Sequence, residues 1–170
     1  ALLGVFDIGL KIALIANSFL NSIAQPLFGV FANMGTERSK IFKITVRTSL
    51  ILFIMYIIGN ILYYFLGNEV SSIIDSINYK EIYTISSILL LGLTFSSVSE
   101  PFYRALLAQE KLKKAFYLKL LVPIFNFILF FILINNNTLE RFTLSYSIAI
   151  FLSSLSIICL YIYDYKRKGI

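Results

Sequence analysis

The chain has no histidine, one cysteine (Cys159) and only 14% charged residues. A single cysteine rules out an internal disulfide framework, and without histidine a conventional zinc site lacks its usual nitrogen ligand. Soluble domains carry about 25% charged and about 45–50% apolar residues. Here 58% of 170 residues are hydrophobic and the mean hydropathy is +0.83. A soluble globular reading does not fit that composition. Also missing is the clustering of acids, histidines or activated nucleophiles that marks an enzyme site. The aspartates are scattered at Asp7, Asp75 and Asp164, and the glutamates are isolated. Nothing calls for catalysis, a cofactor, a metal or nucleic acid.

What the chain has instead is long uncharged runs. Crossing a hydrocarbon core of about 30 Å takes roughly 20 apolar residues. Five segments reach that length, at about 12–34, 48–66, 82–107, 116–134 and 142–163. The stretch Ser49 to Leu66, SLILFIMYIIGNILYYFL, holds eleven Ile, Leu or Phe and no charge. On an insertion scale those eleven contribute roughly −5 kcal/mol. The sequence therefore predicts an all-α integral membrane protein, a bundle of about five transmembrane helices. The chain opens at Ala1, already inside an apolar stretch, and reads as a fragment, or the covered part, of a longer protein.

Loop charge alternates along the chain. Gly35 to Arg47 carries Arg38, Lys40, Lys43 and Arg47 against Glu37, whereas Gly67 to Glu81 carries Glu69, Asp75 and Glu81 against Lys80. Arg104, Lys111, Lys113, Lys114 and Lys119 then face Glu110 alone, and the short fourth connection, Asn135 to Arg141, is neutral. The tail is basic again, with Lys166, Arg167 and Lys168 against Asp164. By the positive-inside rule the first span starts outside and the C-terminus is cytoplasmic. Tyr63, Tyr64, Tyr79, Tyr83, Tyr161, Tyr163 and Tyr165 cluster at span ends, where interfacial aromatic residues belong.

Polar residues inside the spans are the candidate functional positions. On a helix, Asp7, Lys11, Ser18, Asn21, Ser22, Gln25 and Gly29 fall within an arc of about 100°, interrupted at that level by Leu14. Such a stripe avoids lipid and faces either protein or a water-filled cavity. Both readings stay open: helix packing through small and amide side chains, or cavity lining by Lys11, Asn21 and Gln25. Lys11 precedes Met34 by 34 − 11 = 23 residues, roughly 35 Å along a helix. Asp7 and Lys11 therefore belong near the outer interface. Glu100 and Arg104 sit at i and i+4 in the third span beside Pro101, at inner-leaflet depth. They are either a mutually satisfied pair that fixes packing or a site for an anionic headgroup. Lys119, Pro123 and Asn126 share a face of the fourth span, with Lys119 expected to snorkel toward the cytoplasmic surface.

Two stretches carry a family resemblance. GVFDIGLKIALIANSFLNSIAQPLFGVFANMGTERSKIFKI, from Gly4 to Ile44, combines a Gly-x-aromatic-Asp start, a long helix ending near a proline turn, and a basic loop. RALLAQEKLKKAFYLKLLVPIFNFILFFILI, from Arg104 to Ile134, is a small-residue and basic hairpin followed by a helix with a central Asn. Together they resemble the C-terminal half of polysaccharide and O-antigen-type flippases of the multidrug/oligosaccharidyl-lipid/polysaccharide exporter superfamily. The resemblance implies the last five of twelve helices of a two-lobed transporter in a bacterial or archaeal plasma membrane. Its implied partners are membrane lipid, a polyprenyl-diphosphate-linked oligosaccharide and the N-terminal half of the same transporter. Two other readings remain: a drug or cation exporter of the same superfamily, and a membrane enzyme or structural subunit.

Overall fold

The computed structural model describes residues 2–35, 37–75, 77–133 and 139–167. All regular structure among them is helical: α1 (Leu2–Ala24), α2 (Leu27–Asn33), α3 (Arg38–Ile74), α4 (Tyr79–Ala108), α5 (Leu112–Leu133) and α6 (Leu139–Arg167). Five spans are long and apolar enough to cross a membrane, with α1 and α2 together forming the first, Leu3–Asn33. The outer faces support the same assignment. Ile54, Ile58, Ile61, Leu62 and Phe65 on α3 are half or more exposed, as are Phe116, Phe127, Phe131 and Ile132 on α5. Water does not tolerate so much contiguous apolar surface on a monomer, whereas a bilayer requires it. The chain is that of a multi-pass membrane protein.

The first span differs from the expected 12–34. Its helix begins at Leu2 and breaks at Gln25–Pro26 before resuming as α2. Pro26 has no N–H to donate to the carbonyl of Ser22, and its ring crowds that carbonyl, so the ladder stops there. It restarts with Val30 N–H donating to Pro26 O at 3.3 Å. The second span also exceeds expectation. α3 has 37 residues, roughly 55 Å, and carries Arg38, Lys40, Lys43 and Arg47 within its first turns instead of in a loop. Hydropathy marks the part of a helix that lies in lipid and not where its hydrogen-bond ladder ends, and Lys and Arg are good helix formers. The expected third and fifth spans lie within α4 and α6. Residue 134 of the fourth span and residues 135–138 of the fourth connection lie outside the described residues.

Helix α4 is the centre of the bundle. It packs against α1, α2, α3 and α6, and touches α5, which leans mainly on α6. Its sequence explains the position. Ser86, Gly92, Thr94, Ser97, Ser99 and Ala105 are all buried, and small residues let neighbouring backbones approach closely where lipid gives helices no hydrophobic drive to associate. Their hydroxyls are satisfied locally, as in Ser86 to Ile82 O and Thr94 to Leu90 O. Partner helices then add bonds across each seam. Ser49 donates to Val98 O at 2.8 Å, Ser147 to Ile88 O at 2.6 Å, and the Tyr63 and Ser86 hydroxyls pair at 2.5 Å. Gly9 and Gly92 mark close crossings. A Cβ on Gly9 would meet Ile85 at 2.8 Å, and one on Gly92 would meet the Ser147 backbone oxygen at 2.6 Å.

Two short turns complete the description. At one end Asp75 Oδ1 accepts from the Ile77 and Asn78 N–H groups, and its Oδ2 accepts from the Asn78 amide. These bonds, the Asn78 side chain first, hold the Asp75 carboxyl below its ordinary range. At the other end α4 turns into α5 through Glu110, whose φ is 57°. There the Lys111 N–H reaches back to Leu106 O at 3.1 Å and closes the helix end. The first end carries Glu69, Asp75 and Glu81, while Arg38, Lys40, Lys111, Lys113, Lys114, Lys166 and Arg167 gather at the second, hereafter the basic end.

Candidate functional site

Side chains along the first span, α1 and α2, divide into two faces. Val5, Gly9, Ala13, Leu20 and Ala24 are buried against the bundle. Asp7, Lys11, Ser18, Ser22, Gln25 and Gly29 are exposed. Packing within this bundle therefore does not account for the stripe, since none of its fully exposed members is used for it. Lys11 donates to Asp7 Oδ2 at 2.6 Å, and both side chains are more than half exposed. This i,i+4 pair at the helix mouth contributes a few tenths of a kcal/mol, on the order of 0.2–0.5. Asn21 straddles the border between faces, and its Oδ1 is buried with no hydrogen-bond partner. Gln25 is exposed beside the Pro26 break.

Asn17 is a residue the sequence reading passed over. Its Oδ1 accepts from Ser97 Oγ at 2.8 Å and from Ser96 Oγ at 3.3 Å, tying α1 to α4. At about 100° per residue it lies about 40° from Asn21 on the side away from the stripe. The polar band of α1 thus runs on, through Asn17, into the helix seam. The exposed stripe is the remainder that this seam does not consume.

The second candidate lies nearer the basic end of α4. Glu100 is buried at 8% exposure, and Arg104 Nε stands 2.8 Å from its Oε1. That N–H is not aimed at the oxygen and has no hydrogen-bond partner. The contact is an ion pair without the two-bond fork that a guanidinium makes with a well-placed carboxylate. Lys119 of α5 joins from the other side, its Nζ 3.6 Å from Glu100 Oε2 and 4.4 Å from the Tyr103 ring centroid. Lys119 is exposed, and its ammonium also lies against α4. Two cations against one carboxylate leave the cluster with a net charge of 2 − 1 = +1. Both cations remain partly open, at 30% for Arg104 and 46% for Lys119.

The structure thus brings Glu100 and Arg104 together and adds Lys119 and Tyr103. It keeps Lys11, Asn21 and Gln25 as a separate row along the first span. Among the described residues no group of three or more His, Cys, Asp or Glu is placed to hold a metal ion. Cys159 is exposed and unpaired.

The arrangement defines a class: an all-helical multi-pass membrane protein with an open polar stripe and a net-positive cluster at one end of its central helix. No protein-family model, curated protein or solved structure matches the chain.

Proposed function

We propose that this chain is the C-terminal lobe of a flippase that moves lipid-linked oligosaccharide across a bacterial or archaeal plasma membrane by alternating access. The observation that carries the reading is the polar stripe of the first span, whose Asp7, Lys11, Ser18, Ser22 and Gln25 no other helix covers. Bare amides and hydroxyls in hydrocarbon would lose their hydrogen bonds without return. A water-filled cavity between this lobe and an N-terminal one restores those bonds, and the same groups suit saccharide hydroxyls. The basic end faces the cytoplasm, where the Arg104 and Lys119 pair meets the diphosphate of the incoming carrier. The polyprenyl tail stays in lipid, and no bond is made or broken.

Two labelling experiments test this in a Cys159→Ser background. In the full-length transporter, cysteines at Asn21 and Gln25 should react with a small water-soluble thiol reagent, while those at Phe19 and Ile23 stay protected. Equal protection of all four would return the stripe to plain helix packing. For orientation, a cysteine at Asn78 should react with an impermeant reagent in intact cells. Cysteines at Ser39 and Lys113 should react only after permeabilisation. Reversed labelling would remove Arg104 from the cytoplasmic leaflet and end the proposed role for it.

A further inference from the structure

At the basic end a pocket of about 210 Å³ opens between the start of α3, the α4–α5 turn and the end of α6. Arg38, Ser39, Gln109, Lys111, Tyr161 and Tyr165 line it, and Asp164 forms part of its wall. On the other side of Asp164 lies an apolar groove of about 320 Å³, bounded by Leu106, Tyr117, Leu118, Leu121 and Leu160. Lys114, Tyr117, Leu118 and Leu121 follow i, i+3, i+4, i+7 spacing. The groove therefore runs along one face of α5 for about 10 Å into the span. A chamber lined by charged, amide and hydroxyl side chains at the helix ends shares a wall with an apolar groove along α5. That pairing matches a molecule with a charged head and an aliphatic chain.

The charges select the head. Asp164 is buried and held by two lysines: Lys114 Nζ donates to both carboxylate oxygens at 2.7 and 3.0 Å, and Lys111 Nζ lies 3.4 Å from Oδ2. The charged side chains that line the chamber itself are Arg38 and Lys111 against Asp164, a formal sum of 2 − 1 = +1. Asp164 also fixes where the ammonium groups sit, so the chamber is formed before a ligand arrives. Its floor is equally set, since Phe42 of α3 stacks on Tyr165 of α6 at 3.9 Å between ring centroids. Gln109 and Ser39 offer neutral donors. A phosphodiester needs this combination of positive charge and hydrogen-bond donors at the membrane surface.

We infer that this pocket and groove form a binding site for an anionic phospholipid, phosphate in the chamber and acyl chain along α5. The inference does not rest on the flippase reading, because its test measures lipid binding and not transport. The purified full chain is titrated in detergent with dioleoyl phosphatidylglycerol or dioleoyl phosphatidylcholine, and bound lipid is counted by native mass spectrometry. Phosphatidylglycerol should bind about tenfold tighter or more, and Arg38→Gln with Lys111→Gln should remove most of that preference. Arg38→Gln alone, at an exposed position that spares the Asp164 pairs, should lower affinity about fivefold and covers the case of a double variant that does not fold. Leu160→Trp, which obstructs the groove, should weaken the dioleoyl lipid but not dihexanoyl phosphatidylglycerol. Equal binding of the two dioleoyl lipids would overturn the site, as would an Arg38→Gln protein that binds phosphatidylglycerol like the parent. Inorganic phosphate that competes at the lipid's own concentration would reassign the chamber to a soluble anion and sink the lipid proposal.

Discussion

Gly92→Ala should destabilise the bundle by about 1–3 kcal/mol, and Gly92→Val by more. The added Cβ would sit 2.6 Å from both the backbone oxygen and the hydroxyl of Ser147, and 2.7 Å from its Cα. A clash with a flexible side-chain tip is relieved by a rotamer change, but a clash with backbone requires two helices to separate. That separation also stretches the Ser147 bond to Ile88 O, now 2.6 Å, and loosens the packing of α6 on the central helix. Deleting that bond alone, as in Ser147→Ala, should cost about 0.6 kcal/mol, an average value for hydrogen bonds between membrane helices. The control is Gly59→Ala, since a Cβ at Gly59 meets nothing within 4 Å. Thermal unfolding in detergent and accumulation in the membrane should both fall for the Gly92 variants and stay unchanged for Gly59. If Gly92→Ala and Gly59→Ala behave alike, the close α4–α6 crossing is wrong.

The hierarchy behind that prediction was only partly legible from residues in order. Five spans follow from run length alone, because no polar group can sit unpaired in about 30 Å of hydrocarbon. The ends of the spans do not follow. Arg47 reads as loop by charge yet lies in the third turn of α3, because a helix leaving the bilayer keeps its own hydrogen bonds and its long basic side chains reach water. Pro26 and Pro101 show a second limit. Each lacks the same N–H, but α1 breaks at Pro26 whereas α4 runs unbroken through a buried Pro101. Helices pack on α4 from several sides around Pro101, and that information is tertiary. The centrality of α4 was nevertheless written in its composition. A run from Ser96 to Ser99 with Gly92 and Thr94 before it is the small-residue signature of a helix that must touch several others.

The candidate site has the same mixture. Glu100 with Arg104 is visible as an i,i+4 pair, and the stripe of α1 is visible as an arc. The approach of Lys119 to Glu100 crosses two helices and becomes readable only when the turn is located. With Glu110 at its apex, Glu100 lies ten residues before the turn and Lys119 nine after. Near-equal distances from a tight hairpin give similar depths, so the two come within reach across the α4–α5 seam. Asn17 falls outside the arc of the stripe, and its role shows only in the fold, where it turns to Ser96 and Ser97.

If the chain is the flippase lobe proposed above, Lys119 sharpens the largest functional expectation: Arg104→Ala should lower translocation per molecule about ten- to hundredfold, the loss of one or two charge-assisted hydrogen bonds to phosphate. Removing one partner of a buried ion pair ordinarily leaves an uncompensated charge and damages folding. Here Glu100 keeps Lys119 at 3.6 Å, so the Arg104→Ala protein should still accumulate in the membrane. Arg104→Lys should be partly active, because an ammonium supplies the charge without the fork that bridges two phosphate oxygens. Glu100→Gln should be milder than Arg104→Ala, since it removes the carboxylate and leaves both cations. A purely structural pair predicts the opposite pattern. In that case Arg104→Ala would reduce protein abundance while transport per inserted molecule stayed normal, and adding Glu100→Gln would restore the abundance. Proteoliposomes containing the full-length variants, loaded with polyprenyl-diphosphate-linked oligosaccharide and normalised to inserted protein, separate the two. Transport at the parental rate per molecule by Arg104→Ala would show that this guanidinium does not receive the phosphate.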